Sequence, residues 1–109
     1  VQLQQVVINL VMNAVEAVES SPLNRREVRV ETFAAEGGVE IVVSDRGPGL
    51  TPEEAAKAFD TMFTTKRDGM GFGLAIVASI VKEHRGRVGV ESNAPHGAVF
   101  RVWLPEIGK

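Results

Sequence analysis

Two segments of alternating apolar and polar residues, joined by adjacent glycines, most constrain the fold of this chain. Residues 27–34 form the first such segment and residues 39–45 the second. Successive side chains of a strand point to opposite faces, so each segment is typical of a half-buried strand. Gly37 and Gly38 between them are typical of a hairpin turn. The sequence therefore predicts two paired strands near the middle of the chain.

Apolar residues with helical spacing lie on either side of these strands. Residues 2–19 have the pattern of an amphipathic helix, and a second helical pattern starts after Gly73 and stops at Gly86. Between them, Thr51, followed by proline and then by a glutamate three residues on, is an N-cap signature for a short helix to about Phe59.

Residues 87–92 and 98–104 read as two closing strands. Helices and strands are thus mixed without strict alternation, which predicts one twisted sheet covered by helices on one face.

Length, charge and composition exclude several classes of function and of site. The 109 residues are enough for one domain, and the net charge of −2 gives no basic surface for nucleic acid. The absence of cysteine excludes disulfides and zinc–thiolate sites. No apolar run is long enough to span a bilayer, and no signal peptide is visible. Because the chain opens on Val1 inside an apolar pattern, we interpret residues 1–109 as one domain of a longer protein.

The stretch "TKRDGMGFGLAI" places Gly69, Gly71 and Gly73 at alternate positions before a helical pattern. One interpretation is a flexible loop that leads into a helix. The other is a phosphate cradle, because glycine allows close backbone approach and a helix N-terminus presents free N–H groups. Known templates do not fit, since Ile76 stands where a dinucleotide fingerprint needs glycine and Lys66 precedes the glycines. Residues 60–72 as a whole are predicted to form a long loop.

Asp45 closes the second strand in "VVSDRGPGL" and shares a face with its apolar residues. It is either a turn aspartate that bonds locally or a partly buried acceptor that needs a donor. The exocyclic amine of a purine is a suitable donor, and Gly47 and Gly49 would let the base approach the backbone.

Asn9 and Asn13 lie one helical turn apart in "INLVMNAVEA". Asparagine is a poor helix former, so two of them on one face need a reason. They either bond from the helix to a loop or supply an amide oxygen to a hard cation such as magnesium.

Taken together, these stretches resemble the ATP-binding catalytic domain of bacterial sensor histidine kinases, in the superfamily that includes gyrase, heat-shock chaperones and MutL-type proteins. "NLVMNAVEA" resembles the asparagine box, "DRGPGL" the first glycine box, "FDTMFTTK" the phenylalanine box and "GMGFGLAI" the second glycine box. The ending "GAVFRVWLP" is similar to the closing strand. Four boxes in order over nearly the whole chain make the resemblance specific.

The resemblance implies a role for each matching residue. Asn13 holds Mg²⁺, Asn9 lies on the triphosphate side as a catalytic candidate, and Asp45 accepts the adenine amine. Gly47 and Gly49 shape the adenine pocket.

The remaining implied roles belong to the segment that closes over ATP. Lys66 is a second catalytic candidate that reaches the phosphates, and Phe59 and Phe63 brace the closing loop. The hinge and phosphate cradle are formed by Gly69, Gly71, Gly73 and Leu74.

The implied fold is an α/β two-layer sandwich with a mixed five-stranded sheet covered on one face by three helices. The implied activity is binding of Mg-ATP and transfer of the γ-phosphoryl to a histidine on the protein's own dimerisation domain, with a response regulator as the next partner. No nucleic acid or direct membrane contact is expected. The implied state is a monomeric, cytoplasmic domain of a homodimeric parent, whether or not that parent is anchored in a membrane.

Two departures from the family pattern affect this hypothesis. No basic residue follows the asparagine box, where Glu16 stands, and Ala98 replaces the threonine or serine that often follows the last glycine. In gyrase-type relatives a glutamate precedes the magnesium asparagine by one turn, and Asn9 occupies that place here. An amide does not take a proton from water, so a self-contained ATPase is disfavoured. The alternative is a nucleotide-dependent switch or anti-sigma-type module without histidine kinase activity.

Overall fold

The computed structural model describes residues 2–19, 21–59, 71–93 and 96–105. Helices and strands occur in the predicted order, with a 3₁₀ turn at Leu23–Arg25. The elements are α1 (Gln2–Val18), β1 (Val28–Ala35), β2 (Gly38–Asp45), α2 (Pro52–Lys57), α3 (Gly71–Glu83), β3 (Arg87–Ser92) and β4 (Ala98–Pro105).

The four strands form one sheet in the order β1-β2-β4-β3. We expected a mixed sheet of five strands, but the described residues form four, and every neighbouring pair is antiparallel. The topology explains this pairing. The chain leaves β2 through α2 and α3, returns at the far edge as β3, and turns back as β4 between β3 and β2.

One face of the sheet is covered by α1 and α3, which also pack against each other. A third helix was expected to cover this face, but α2 has only six residues and none of them is buried. Its predicted N-cap is confirmed: Thr51 Oγ1 accepts from the Glu54 N–H at 3.1 Å, and Glu54 Oε1 accepts from the Thr51 N–H at 3.0 Å. The core lies between α1, α3 and the sheet and includes Val6, Leu10, Val43, Val77, Val81 and Val102.

The opposite face of the sheet is covered by its own long side chains. Arg101 contacts carboxylates on both neighbouring strands, Glu40 at 3.3 Å and Glu91 at 3.0 Å. The hydrogen bond to Glu91 raises the pKa of Arg101 above its already high ordinary value. Arg87 lies over the Trp103 ring, 4.3 Å from its centroid. In the part of the chain that the structure describes, no helix is both long and apolar enough to cross a membrane.

Helix α3 was predicted to end at Gly86, but it ends at Glu83. The left-handed residue is Arg85, with φ of 63°. The next N–H, that of Gly86, donates to the Val81 carbonyl at 2.8 Å, which closes the last turn. Glycine is needed at 86 for a different reason, because a Cβ there would overlap the carbonyl oxygen of Trp103.

Candidate functional site

Asp45 lies at the end of β2 and is only 2% exposed. The alternation of its strand predicted this burial correctly. One carboxylate oxygen, Oδ1, accepts from the Gly47 N–H at 2.9 Å and from the Ala98 N–H at 3.3 Å. These backbone donors offset part of the cost of burying the carboxylate and fix the direction in which it points.

The glycines that follow Asp45 are explained by contacts within the chain. A Cβ on Gly47 would lie 2.7 Å from the carbonyl oxygen of Ala17, at the end of α1. Gly49 has φ of 78°, and a Cβ there would lie 2.9 Å from the carbonyl oxygen of Gly97. These residues were expected to let a base approach the backbone. In the structure they allow the end of α1, the loop after β2 and the β3–β4 turn to meet around Asp45.

Two residues of the β3–β4 turn were missed by the sequence reasoning. The side-chain amide of Asn93 donates to the backbone carbonyl of Asp45 at 2.7 Å. Gly97 has φ of 107°, and a Cβ on it would overlap that same carbonyl oxygen. The sequence predicts a turn from Asn93 to Gly97 but assigns neither residue a role at the site. A glycine followed by apolar alternation was a usable signal for Gly97, but no pattern indicated the contact of Asn93 with Asp45.

Asn9 and Asn13 lie on α1, as predicted, but in different surroundings. Asn13 is buried, with 5% of its surface exposed. Asn9 is half-buried; its Oδ1 accepts from Gln5 Nε2 at 2.8 Å, and its Nδ2 donates to the carbonyl oxygen of Gly73 at 3.2 Å. Asn9 thus ties the middle of α1 to the first turn of α3.

Helix α3 begins at Gly71, earlier than the predicted start after Gly73. Gly71 and Gly73 are therefore part of its first turn, where four backbone N–H groups lack partners within the helix. The side chain of Leu74 lies in the core, 6% exposed, so this residue can serve an anion only through its backbone N–H. A Cβ on Gly73 would be 3.6 Å from Asn9, which is ordinary contact.

Several predicted residues lie outside the described ranges, namely Lys66, Gly69 and Phe63. Phe59 is described, and its ring packs edge-on against Phe100 with centroids 6.1 Å apart. Among the described residues, no group of three or more His, Cys, Asp or Glu side chains could hold a metal ion.

The chemistry available to this arrangement is recognition of a polar, anionic ligand. Asp45 offers a fixed, buried carboxylate, and such a group discriminates between a donor and an acceptor on a ligand. The first turn of α3 offers N–H groups that have no partner within the helix, and the positive end of the helix dipole. The amide of Asn13 is a neutral oxygen donor of the kind that magnesium accepts.

Comparison with known proteins agrees with this chemistry. The model of the family described as histidine kinase-, DNA gyrase B- and HSP90-like ATPase matches residues 1–107. Sensor protein FixL of Bradyrhizobium diazoefficiens is 49% identical over 106 residues, which are 96% of this chain and 21% of FixL. The catalytic domain of histidine kinase ThkA, in a nucleotide-free form, superposes with a TM-score of 0.82 at 33% identity over 95% of this chain and 66% of that one.

A second solved structure, full-length ShkA in complex with AMPPNP, superposes with a TM-score of 0.79 at 32% identity. The match covers 98% of this chain and 22% of ShkA. The chain thus spans about a fifth of the length of FixL and of ShkA. It belongs to the family of histidine kinase-, DNA gyrase B- and HSP90-like ATPases, and within that family to the ATP-binding domains of sensor histidine kinases.

Proposed function

We propose that this chain binds Mg-ATP between α1, Asp45 and the first turn of α3. In the full-length protein it transfers the γ-phosphoryl to a histidine on a separate dimerisation domain, and a response regulator receives it next. The observation that carries the proposal is the buried carboxylate of Asp45, oriented by two backbone N–H groups at the end of a core strand.

The adenine base is recognised by Asp45. The exocyclic amine of adenine donates to the carboxylate, whereas guanine presents a carbonyl oxygen at the same position. Two acceptors facing each other in a buried place are unfavourable, so the site prefers ATP to GTP. The AMPPNP bound to ShkA, an analogue of ATP, supports an adenine nucleotide as the ligand.

The phosphates lie against the first turn of α3, where Gly71, Gly73 and Leu74 supply backbone N–H groups. Lys66 and Gly69 precede that turn in the chain and complete the phosphate contacts. Magnesium is held by the amide oxygen of Asn13 together with phosphate oxygens, since Mg²⁺ is commonly bound by one or two protein oxygens plus the substrate.

Phosphoryl transfer depends on positioning and charge neutralisation rather than on a protein base. Asn9 supports a mechanism without a protein base, because an amide stands where a hydrolytic relative has a glutamate. Its Nδ2 also donates to the Gly73 carbonyl oxygen at 3.2 Å and so holds α1 against the start of α3. The nucleophile is then a histidine that another domain supplies. An isolated domain of this kind is monomeric, and its parent protein is a homodimer.

Calorimetric titration with ATP and with GTP, each with and without Mg²⁺, tests the binding proposal. The wild-type chain should prefer ATP and bind it more tightly with Mg²⁺. Asp45→Asn replaces one carboxylate oxygen by an N–H₂ group and should cost about 1.5–3 kcal/mol of ATP binding, the value of a hydrogen bond to a charged group. Glu36→Gln is the matched control, because it removes one negative charge at the exposed hairpin turn. Equal loss in both variants would contradict recognition by Asp45.

The kinase step needs its own assay, because a binding module without kinase activity has the same nucleotide site. Dimerisation helices of a sensor histidine kinase are supplied in trans with radiolabelled ATP. Acid-labile, base-stable label on their histidine supports the kinase proposal. ATP binding without such label, under conditions in which a known kinase domain labels the same helices, favours the switch or anti-sigma-type module.

A further inference from the structure

We infer that Asn93 is a positioning residue that sets the base specificity of this site by holding Asp45 in place. The inference rests on the proposed function, since it concerns how Asp45 meets the adenine base. Asn93 is far from Asp45 in the chain and lies just after β3, at the start of the turn to β4. Its side chain reaches the Asp45 backbone with a short hydrogen bond of 2.7 Å.

The β3–β4 turn contacts Asp45 at both its backbone and its side chain. Asn93 Nδ2 donates to the Asp45 carbonyl, and the Ala98 N–H donates to Asp45 Oδ1 at 3.3 Å. Asn93 also closes the turn itself, because its backbone N–H donates to the Gly97 carbonyl at 3.1 Å. Asn93 therefore links the two ends of the turn through its backbone and links the turn to Asp45 through its side chain.

Asp45 is paired with Val28 of β1, but on the side of β4 it lies beyond the end of the strand pairing. The pairing of β2 with β4 ends one residue earlier, at Ser44 and Val99. Beyond that point, side chains take part in the contacts that hold β2 to the turn, at the Asp45 carbonyl and at its carboxylate. Because Gly97 has no Cβ, its backbone lies directly against that carbonyl, so a shift of the turn is transmitted to Asp45.

Loss of the Asn93 amide should therefore weaken recognition of the base and leave binding of the phosphates unchanged. With the carbonyl released, Asp45 and the Ala98 N–H are held less closely, and the carboxylate points less consistently at the adenine amine. The first turn of α3, which lies on another element, is unchanged. The expected signature is reduced discrimination between ATP and GTP, with the affinity ratio of ATP to ADP preserved.

The test uses two variants and a matched control. Asn93→Ala removes the donor, and Asn93→Asp keeps the shape of the side chain while replacing the donating nitrogen by a carboxylate oxygen, which is repelled by the Asp45 carbonyl. Asn24→Ala is the control, because Asn24 is an exposed asparagine in the turn after α1. Affinities for ATP, ADP and GTP are measured by calorimetry on the 109-residue chain, at a temperature where circular dichroism shows each variant folded.

We expect the ATP-to-GTP affinity ratio to fall about three- to tenfold in Asn93→Ala, the range for one lost hydrogen bond, and at least as much in Asn93→Asp. The ratio should be unchanged in Asn24→Ala. A merely structural role would weaken all three nucleotides alike, and that result would overturn the inference. An ATP-to-GTP ratio equal to that of the wild-type chain in both variants would also overturn the inference. In that case the preference of the wild-type chain for ATP would still support the proposed function. If the wild-type chain binds neither nucleotide, the proposed function fails and this inference fails with it.

Discussion

Gly73→Ala is expected to make the protein more stable and to lower its affinity for ATP. Gly73 lies in the first turn of α3, so alanine improves the helix there. The added methyl group has room, because its nearest neighbours are atoms of Asn9 at 3.6 Å. A gain of about 0.5 kcal/mol, the lower end for a helical position, corresponds to a melting temperature about 2–4 °C higher.

The same methyl group should interfere with the triphosphate. It points towards Asn9, and so into the space between the first turn of α3 and α1, where we propose that the phosphates lie. Loss of one hydrogen bond to a phosphate would cost about 1.5–3 kcal/mol, or about 10- to 100-fold in ATP affinity. Binding of adenosine, which has no phosphate, should be unchanged.

Thermal unfolding and calorimetry with ATP and adenosine measure both effects. Ser79→Ala is the control, because this exposed position of α3 also gains helix propensity but lies beyond the first turn. It should raise the melting temperature and leave both affinities unchanged. If Gly73→Ala binds ATP as tightly as the wild-type chain, the phosphates do not lie against this turn. A lower melting temperature would refute the steric argument.

Two further predictions concern the metal and the end of α3. Asn13→Ala should abolish most of the gain in ATP affinity that Mg²⁺ gives, which is measured as the ratio of ATP affinities with and without the metal. An unchanged ratio would mean that Asn13 does not bind the metal. Arg85→Gly should raise the free energy of unfolding by about 1 kcal/mol, because φ of 63° strains any residue with a Cβ. Urea unfolding measures it, and a loss of stability would contradict the left-handed cap.

Local periodicity was sufficient to predict most elements of the fold. The predicted α1 and all four predicted strands agree with the structure to within one residue at each end. The burial of Asp45 followed from its phase with Ile41 and Val43 on one strand. Such predictions succeed because they depend only on which face of an element is apolar.

Contacts between distant parts of the chain were not predictable in this way. Asn93 and Asp45 are 48 residues apart, and nothing local in either stretch indicates the other. The start of α3 was placed too late because its glycines favour a loop by local propensity, whereas the buried Leu74 and the bond from Asn9 hold this turn in the helix. The strand order likewise depends on how α1 and α3 share one face of the sheet.

The glycines show what a motif alone does and does not indicate. Gly47, Gly49 and Gly97 each have a reason within the chain, because a Cβ on any of them would come within 3 Å of a carbonyl oxygen. Their presence is therefore explained without a ligand. Gly73 is different, since a Cβ there meets only ordinary contacts and a helix would be more stable with alanine. Gly89 is also unobstructed, but it lies beside Arg101 on edge strand β3. Among these glycines, Gly73 is therefore the one most readily explained by a ligand, because the described part of the chain does not itself require glycine there.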